Sequence, residues 1–283
     1  MTKASDQNQL VQPVVKWAGG KRQLLNEIEK RIPKKFSTYY EPFLGGGAVL
    51  FHLQPKKAIV NDYNHDLINV YLTIKNNVDE LIEDLKKHSN DKAYYYKVRE
   101  MDRTGELEKM TPVQKASRLI YLNKTCYNGL YRVNSLGQFN TPFGKYKNPN
   151  IVNEAVLRAV SKYLNDRDII FKTGDFEDAL KGIRKGAFVY FDPPYFPLSD
   201  SSSFTGYTLD GFGKEDQIRL KSVCDKLNAM GVKFLLSNSS APFIEDLYKD
   251  YTMEKVGATR SINSVAENRG AIQEILVRNY EID

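Results

Sequence analysis

Short apolar runs that end in glycine, an acid or a Ser/Asn cluster recur along this 283-residue chain, separated by amphipathic stretches. Thr38 to Phe43 predicts a short strand entering the turn Leu44-Gly45-Gly46-Gly47, followed by the apolar Ala48-Val49-Leu50-Phe51. Ala58 to Asp62 predicts a second strand ending in a carboxylate, and Leu67 to Lys75 a helix. From Val78 to Asn123 the pattern is helical, with breaks near Ser89-Asn90 and at Thr111-Pro112, where Thr111 suits an N-cap with Pro112 in the first helical position. Tyr131 to Phe143 alternates around Asn134-Ser135-Leu136-Gly137 and predicts a β-hairpin or structured loop. A helix over Asn153 to Leu164 follows. Then come strands over 168–172 and 187–191, a short helix from Phe176, a long one over Lys214 to Met230, and strands over 232–237, 251–256 and 272–279.

This rhythm is α/β. It predicts a Rossmann-like, mostly parallel sheet wrapped by helices, residues 1–70 and 165–283, interrupted by a mainly helical insertion over 71–164 that carries the hairpin. A chain that is 41% hydrophobic can bury a sizeable core. The polar start from Met1 to Gln9 has no apolar segment behind it and no stretch approaches the length of a membrane span, so a cytoplasmic protein is expected. Cys126 and Cys224 stand far apart, and His52, His65 and His88 lack zinc-ligand spacing; neither a disulfide framework nor a metal is expected.

Net charge is +6, a mild sign of a polyanionic partner. Its distribution says more. Pro112 to Pro149 holds Lys115, Arg118, Lys124, Arg132, Lys145 and Lys147 without one acid. Tyr121, Tyr127, Tyr131, Phe139, Phe143 and Tyr146 are interleaved, a mixture suited to phosphates and base faces. A solvated basic face is the competing reading, and some of the aromatics must be core.

In an open α/β sheet ligands bind beyond the carboxyl ends of strands. Those ends carry Gly45-Gly46-Gly47, Asp62, Asp175, Asp192 and Ser237-Asn238-Ser239-Ser240. Glycine lets a ligand approach backbone, and a carboxylate after the second strand suits a ribose diol. Phosphate loops do not fit: Gly20-Lys21 lacks the glycine and hydroxyl of a Walker loop, having Val15 and Arg22, and Leu50 breaks a dinucleotide fingerprint from Gly45. S-adenosyl-L-methionine, a nucleoside without pyrophosphate, remains.

Asp192-Pro193-Pro194-Tyr195 follows an apolar strand. Asp and Pro also favour plain turns. The alternative is a clamp for a planar amine, whose lone pair is delocalised into its ring. The Asp192 carboxylate and the Pro193 carbonyl would accept its two N–H bonds, the paired prolines would fix the backbone, and Tyr195 would stack on the ring.

Five stretches occur in order: Lys16-Trp17-Ala18-Gly19-Gly20-Lys21, Glu41-Pro42-Phe43-Leu44-Gly45-Gly46-Gly47, Asn61-Asp62, Gly174-Asp175-Phe176 and Asp192-Pro193-Pro194-Tyr195. Together they closely resemble the Dam-type adenine-N6 DNA methyltransferases, α group, over about Pro13 to Tyr280. The resemblance implies that Trp17, Gly20, Lys21, Glu41, Phe43, Gly45 and Gly47 contact the cofactor, Asp62 holds its ribose, Asp175 and Phe176 frame its adenine, and Asp192 adjoins it. Trp17 also suits plain core. Residues 127–147 resemble the recognition hairpin of members that methylate GATC in double-stranded DNA. By that match Arg132 would read a guanine and Lys16 another base. Tyr127 and Asn128 would invade the stack or occupy the space left by the flipped base, Leu130 and Pro142 would make apolar contacts, Asn134 would join the DNA surface, and Tyr146 and Lys147 would hold phosphates.

The activity so implied is methyl transfer to a flipped adenine by direct displacement, without a metal or covalent intermediate. Pairing with a restriction endonuclease would fit such a chain. Ser199 to Gly213 would be a lid or an idle loop. The rivals are an RNA or protein-glutamine methyltransferase, a non-catalytic DNA-binding protein, and cytosine-N4 methylation, which usually has Ser in place of Asp192.

Overall fold

A computed structural model describes residues 7–198, 211–259 and 271–282; the expected lid falls, up to residue 210, outside them. Seven strands, β1 (Tyr39–Glu41), β2 (Lys57–Asp62), β3 (Asp168–Thr173), β4 (Phe188–Phe191), β5 (Lys233–Ser239), β6 (Thr252–Thr259) and β7 (Ala271–Arg278), form one sheet in the order β3-β2-β1-β4-β5-β7-β6. The first five run parallel, and β7 lies antiparallel between β5 and β6.

Both faces are covered, so neighbouring residues on a strand enter different cores. Tyr39, Phe188, Tyr190 and Leu235 pack into one, while Tyr40, Val189, Phe191, Phe234 and Leu236 pack into the other. The first face is covered by α1 (Leu25–Glu29), α2 (Ala48–Leu53), α3 (His65–Asn76), α4 (Val78–Leu85) and two later helices; α5 (Lys92–Glu100) is set apart. The later pair are α6 (Pro112–Thr125) and α7 (Glu154–Asp166). The second face is covered by α8 (Phe176–Ala179), α9 (Lys214–Ala229) and α10 (Pro242–Leu247). Helices α1 and α10 go beyond the elements read from the pattern, being only five and six residues long.

The cap at Thr111 forms as expected. Thr111 Oγ1 accepts from Gln114 N at 3.3 Å and Gln114 Oε1 accepts from Thr111 N at 2.9 Å, a reciprocal box at the head of α6. Within residues 71–164, α4, α6 and α7 bury side chains in the same core as the sheet. A smaller core of Tyr95, Val98, Tyr121, Leu122, Cys126 and Phe139 lies between α5, α6 and the loop 131–143.

The hairpin expected in that loop is narrow. One bridge, Val133 to Phe139, is flanked by Asn140 N donating to Arg132 O and Asn134 N donating to Gln138 O, both at 2.9 Å. A second bridge, Cys126 to Phe143, ties its return to the end of α6. Asn134 Oδ1 closes the tip by accepting from Leu136 N and Gln138 N.

Candidate active site

The ends of β1 and β2 are tied to one another through a glycine. Gly45 has φ of 50° and donates its N–H to Asp62 Oδ2 at 2.8 Å, while its carbonyl accepts from Tyr71 Oη at 2.8 Å. Asp62 Oδ1 takes the N–H of Asn64 at 2.9 Å. Burial pushes the Asp62 carboxyl upward, and these two N–H groups oppose it. A β-carbon on Gly45 would stand 3.1 Å from Trp17 Cδ1, and one on Gly20 3.2 Å from the Trp17 carbonyl oxygen. Gly47, with φ of 68°, has no room for one either, because the Phe51 ring would be 2.8 Å away. Glu41 sits behind this turn, 2% exposed, accepting from Tyr39 Oη at 2.9 Å. Burial drives its carboxyl well above the usual range; the Tyr39 hydrogen bond opposes this, and the charges of Asp192 and Asp62 add to it.

Phe43 stacks on Phe176 with centroids 5.2 Å apart. Asp175 caps α8, Oδ1 accepting from Glu177 N at 2.9 Å, and its Oδ2 meets Arg219 at 2.8 Å; the Arg219 guanidinium lies over the Phe176 ring. Asn61 joins the two loops. Its side-chain N–H groups go to the Pro42 carbonyl at 3.0 Å and the Gly174 carbonyl at 2.9 Å, one residue ahead of Phe43 and of Asp175. Asn61 Oδ1 is buried and without a hydrogen-bond partner among the described residues.

Asp192 follows β4 and is held on one oxygen. Lys21 Nζ is 2.8 Å from Asp192 Oδ1, and Ser237 Oγ donates to that oxygen at 3.0 Å. Burial raises the Asp192 pKa, with Lys21 the main opposing influence. Among the described residues no hydrogen bond reaches Oδ2 of Asp192 or the carbonyl of Pro193. Lys21 Nζ also donates to the Gly19 carbonyl and lies over the Tyr195 ring, 4.5 Å from its centroid. Tyr195 Oη donates to Glu274 Oε2 at 2.5 Å. The Pro194 carbonyl accepts from Gln217 Nε2 at 2.9 Å, and the Phe196 N–H goes to Asn238 Oδ1 at 3.1 Å. Thus Asp192, Pro193, Pro194 and Tyr195 occupy a backbone fixed on both sides. Ser237 and Asn238 stood among the strand ends in sequence, whereas Glu274 and Gln217 had no local signal.

The residues matched to the DNA surface divide by burial and bonding. Lys16 is tied through its N–H and carbonyl to Asn123 at 2.9 and 2.8 Å, with its side chain across Gly129, where a β-carbon would fall 2.5 Å from Lys16 Cδ. Tyr127 is exposed, its N–H bonded to the Pro142 carbonyl at 2.8 Å, and Asn128 takes a left-handed backbone with φ of 57°. The Leu130 carbonyl accepts from Thr141 Oγ1 at 2.7 Å. Arg132 is exposed and rests its Nε on Asn140 Oδ1 at 2.6 Å. Asn134 spends its side chain on its own loop, also donating to Gln138 Oε1. Tyr146 and Lys147 are exposed. Of the interleaved aromatics, Tyr121 and Phe139 are core, and Tyr131 stacks on Trp17 at 4.7 Å, joining this loop to the glycine turn. Arg118 is not part of a basic face: it is 8% exposed and ion-paired with Asp102.

Fold and site together define a Rossmann-like methyltransferase, in which strand ends gather a glycine turn, the Asp62 carboxylate and the Asp192-Pro193-Pro194-Tyr195 segment. Residues 17–262 match the D12 class N6 adenine-specific DNA methyltransferases, and the chain belongs to that family. It is 49% identical over 272 residues to the type II methyltransferase M1.LlaDCHI of Lactococcus lactis subsp. cremoris, covering 95% of this chain and 96% of that one. It is 45% identical over 290 residues to the type II methyltransferase M.MjaIII of Methanocaldococcus jannaschii, covering 95% and 99%. A DNA adenine methylase of Haemophilus influenzae is 34% identical over 271 residues, covering 93% and 92%.

The enzyme therefore methylates adenine in DNA with S-adenosyl-L-methionine as donor. The residues present fit that cofactor: the glycine turn is bonded to the Asp62 carboxylate, and the buried oxygen of neighbouring Asn61 has no donor among the described residues. Among the described residues no helix is long and apolar enough to span a membrane, and no cluster of ligating side chains would hold a metal ion.

Proposed function

We propose that the enzyme flips adenine out of duplex DNA, probing GATC sites, and holds its exocyclic amine between Asp192 Oδ2 and the Pro193 carbonyl. The observation that carries this reading is the division of labour at Asp192, where Lys21 and Ser237 engage one oxygen and the other takes no hydrogen bond from a described residue. Two acceptors on one side of the amine would turn its lone pair away from the ring plane, and Tyr195 would stack on the base. Catalysis then rests on orientation and charge placement.

The cofactor supplies a methyl group on a positively charged sulfur. Asp62 would hold its ribose hydroxyls, Phe43, Asp175 and Phe176 its adenine, and Trp17, Gly20, Gly45 and Gly47 its remaining surface. Lys21 and Glu41 would act from behind, Lys21 by keeping Asp192 ionised and Glu41 by bracing the turn through Tyr39.

Residues 71–164 would be the target-recognition part and residues 1–70 with 165–283 the catalytic part. In it Arg132 would read guanine by a bidentate pair, Lys16 a further base, and Tyr127 and Asn128 the space left by the flipped base. Leu130 and Pro142 would add apolar contacts, Tyr146 and Lys147 would grip phosphates, and Asn134 would shape the tip that carries Arg132. GATC rests on the resemblance of residues 127–147. The names of the two type II relatives support pairing with a restriction endonuclease, in the cytoplasm where the DNA is.

Incubation with methyl-labelled cofactor and a duplex DNA library, followed by mapping of the modified bases, tests reaction, base and site together. Label in adenine at one short sequence is the expected result. Label in cytosine would overturn the clamp assignment, and adenine label at a site other than GATC would overturn the recognition assignment.

A further inference from the structure

A buried ion cluster stands outside the active site and ends on the backbone of the recognition loop. Asp102 and Arg118 each have side chains 9% exposed and meet at 3.0 Å. Arg118 also gives Nε to the Val98 carbonyl at 2.9 Å and Nη2 to the Arg99 carbonyl at 2.8 Å, satisfying carbonyls in the last turn of α5. Arg103 pairs with Asp102 Oδ1. The cluster converges on one residue: Asp102 Oδ2, the oxygen that meets Arg118, also accepts the Phe139 N–H at 2.8 Å, and Arg103 Nη2 donates to the Phe139 carbonyl at 2.9 Å.

Side chains thus take the place of a neighbouring strand at Phe139, and the next residue, Asn140, is the one that holds Arg132. Asn140 donates its N–H to the Arg132 carbonyl at 2.9 Å and accepts Arg132 Nε at 2.6 Å. Between its two arms the loop has one bridge, Val133 to Phe139, the second lying at its return to α6, and a slip of that inner pairing by one residue would turn every side chain over. Ion pairs this deep are poor sources of stability, since desolvation offsets their attraction; their attested use is to select one register among several.

We propose that Asp102, Arg103 and Arg118 are positioning residues for target discrimination: they lock the register of residues 131–143 and so set where Arg132 points. This rests on the reading of that loop as the part that meets base edges.

The test uses the full-length enzyme and the ratio of kcat/KM on a duplex with the preferred site to that on duplexes with one base pair changed. Asp102→Asn and Arg103→Met should each lower that ratio by about tenfold, the size of a weakened base contact. Binding of S-adenosyl-L-methionine should be unaltered, and Arg103→Lys should restore part of the ratio. A merely structural role would lower kcat/KM by one common factor on every duplex, and that result, or an unchanged ratio, would overturn the proposal. Arg132→Ala is run alongside. If it relaxes the ratio while the Asp102 and Arg103 variants do not, the lock fails alone; if it too leaves the ratio unchanged, the reading of the loop fails and takes the lock with it.

Discussion

Lys21 Nζ lies 2.8 Å from Asp192 Oδ1 and 4.5 Å from the centre of the Tyr195 ring, so one ammonium group touches both ends of the Asp-Pro-Pro-Tyr segment. Lys21 is itself only 5% exposed. A cation so placed opposes the burial that raises the Asp192 pKa.

The sign of the pH effect follows. Burial raises the Asp192 pKa and Lys21 opposes the rise. In the proposed clamp the carboxylate is the acceptor, so methyl transfer should fail as pH drops through that raised pKa. Lys21→Met removes the opposing charge and should move the acid limb of the single-turnover rate to higher pH. An acid limb that stayed in place would show that Lys21 does not act through Asp192.

Asp192→Ala should lower the rate by on the order of 10³-fold, the scale of losing a central orienting group. Cofactor and DNA affinities, measured by calorimetry and by a gel-shift titration, should change far less. Normal turnover would refute the clamp.

Asn61→Ala should weaken the cofactor site without touching the clamp. It strips donors from the Pro42 and Gly174 carbonyls, each left short by about 1–3 kcal/mol where buried. The dissociation constant for S-adenosyl-L-methionine should rise by about tenfold or more, while kcat at saturating cofactor falls much less. Equal loss in both would mean that Asn61 serves the whole fold and not the pocket.

Gly47→Ala should lose roughly 2 kcal/mol in urea unfolding, from a left-handed backbone and a β-carbon set 2.8 Å from the Phe51 ring. Gly213→Ala is the control. That site has an ordinary φ of −89° and no crowding atom among the described residues, so only its place as the N-cap of α9 counts and its change should stay within about 1 kcal/mol.

Much of the fold was legible because its signals are local. Thr111, Pro112 and Gln114 lie within one helical turn, and the apolar run through Phe188 to Phe191 lies within one strand. Helices α1 and α10 were not, since five and six residues give too little periodicity to separate from a loop. Arg118 illustrates the opposite hazard. In sequence it belongs to an acid-free run, yet its neutralising Asp102 lies sixteen residues upstream, outside that run.

The sequence by itself determined the chemistry: a carboxylate with two prolines and an aromatic, glycines where backbone must be left-handed, and acids at strand ends are requirements written in residue type and order. Only the tertiary structure decided which partners make those residues work. Lys21 reaches Asp192 across 171 positions, Glu274 reaches Tyr195 across 79, and Asn61 joins loops at 42 and 174. Contacts of that span depend on the order in which strands lie side by side, which no local pattern of residues encodes.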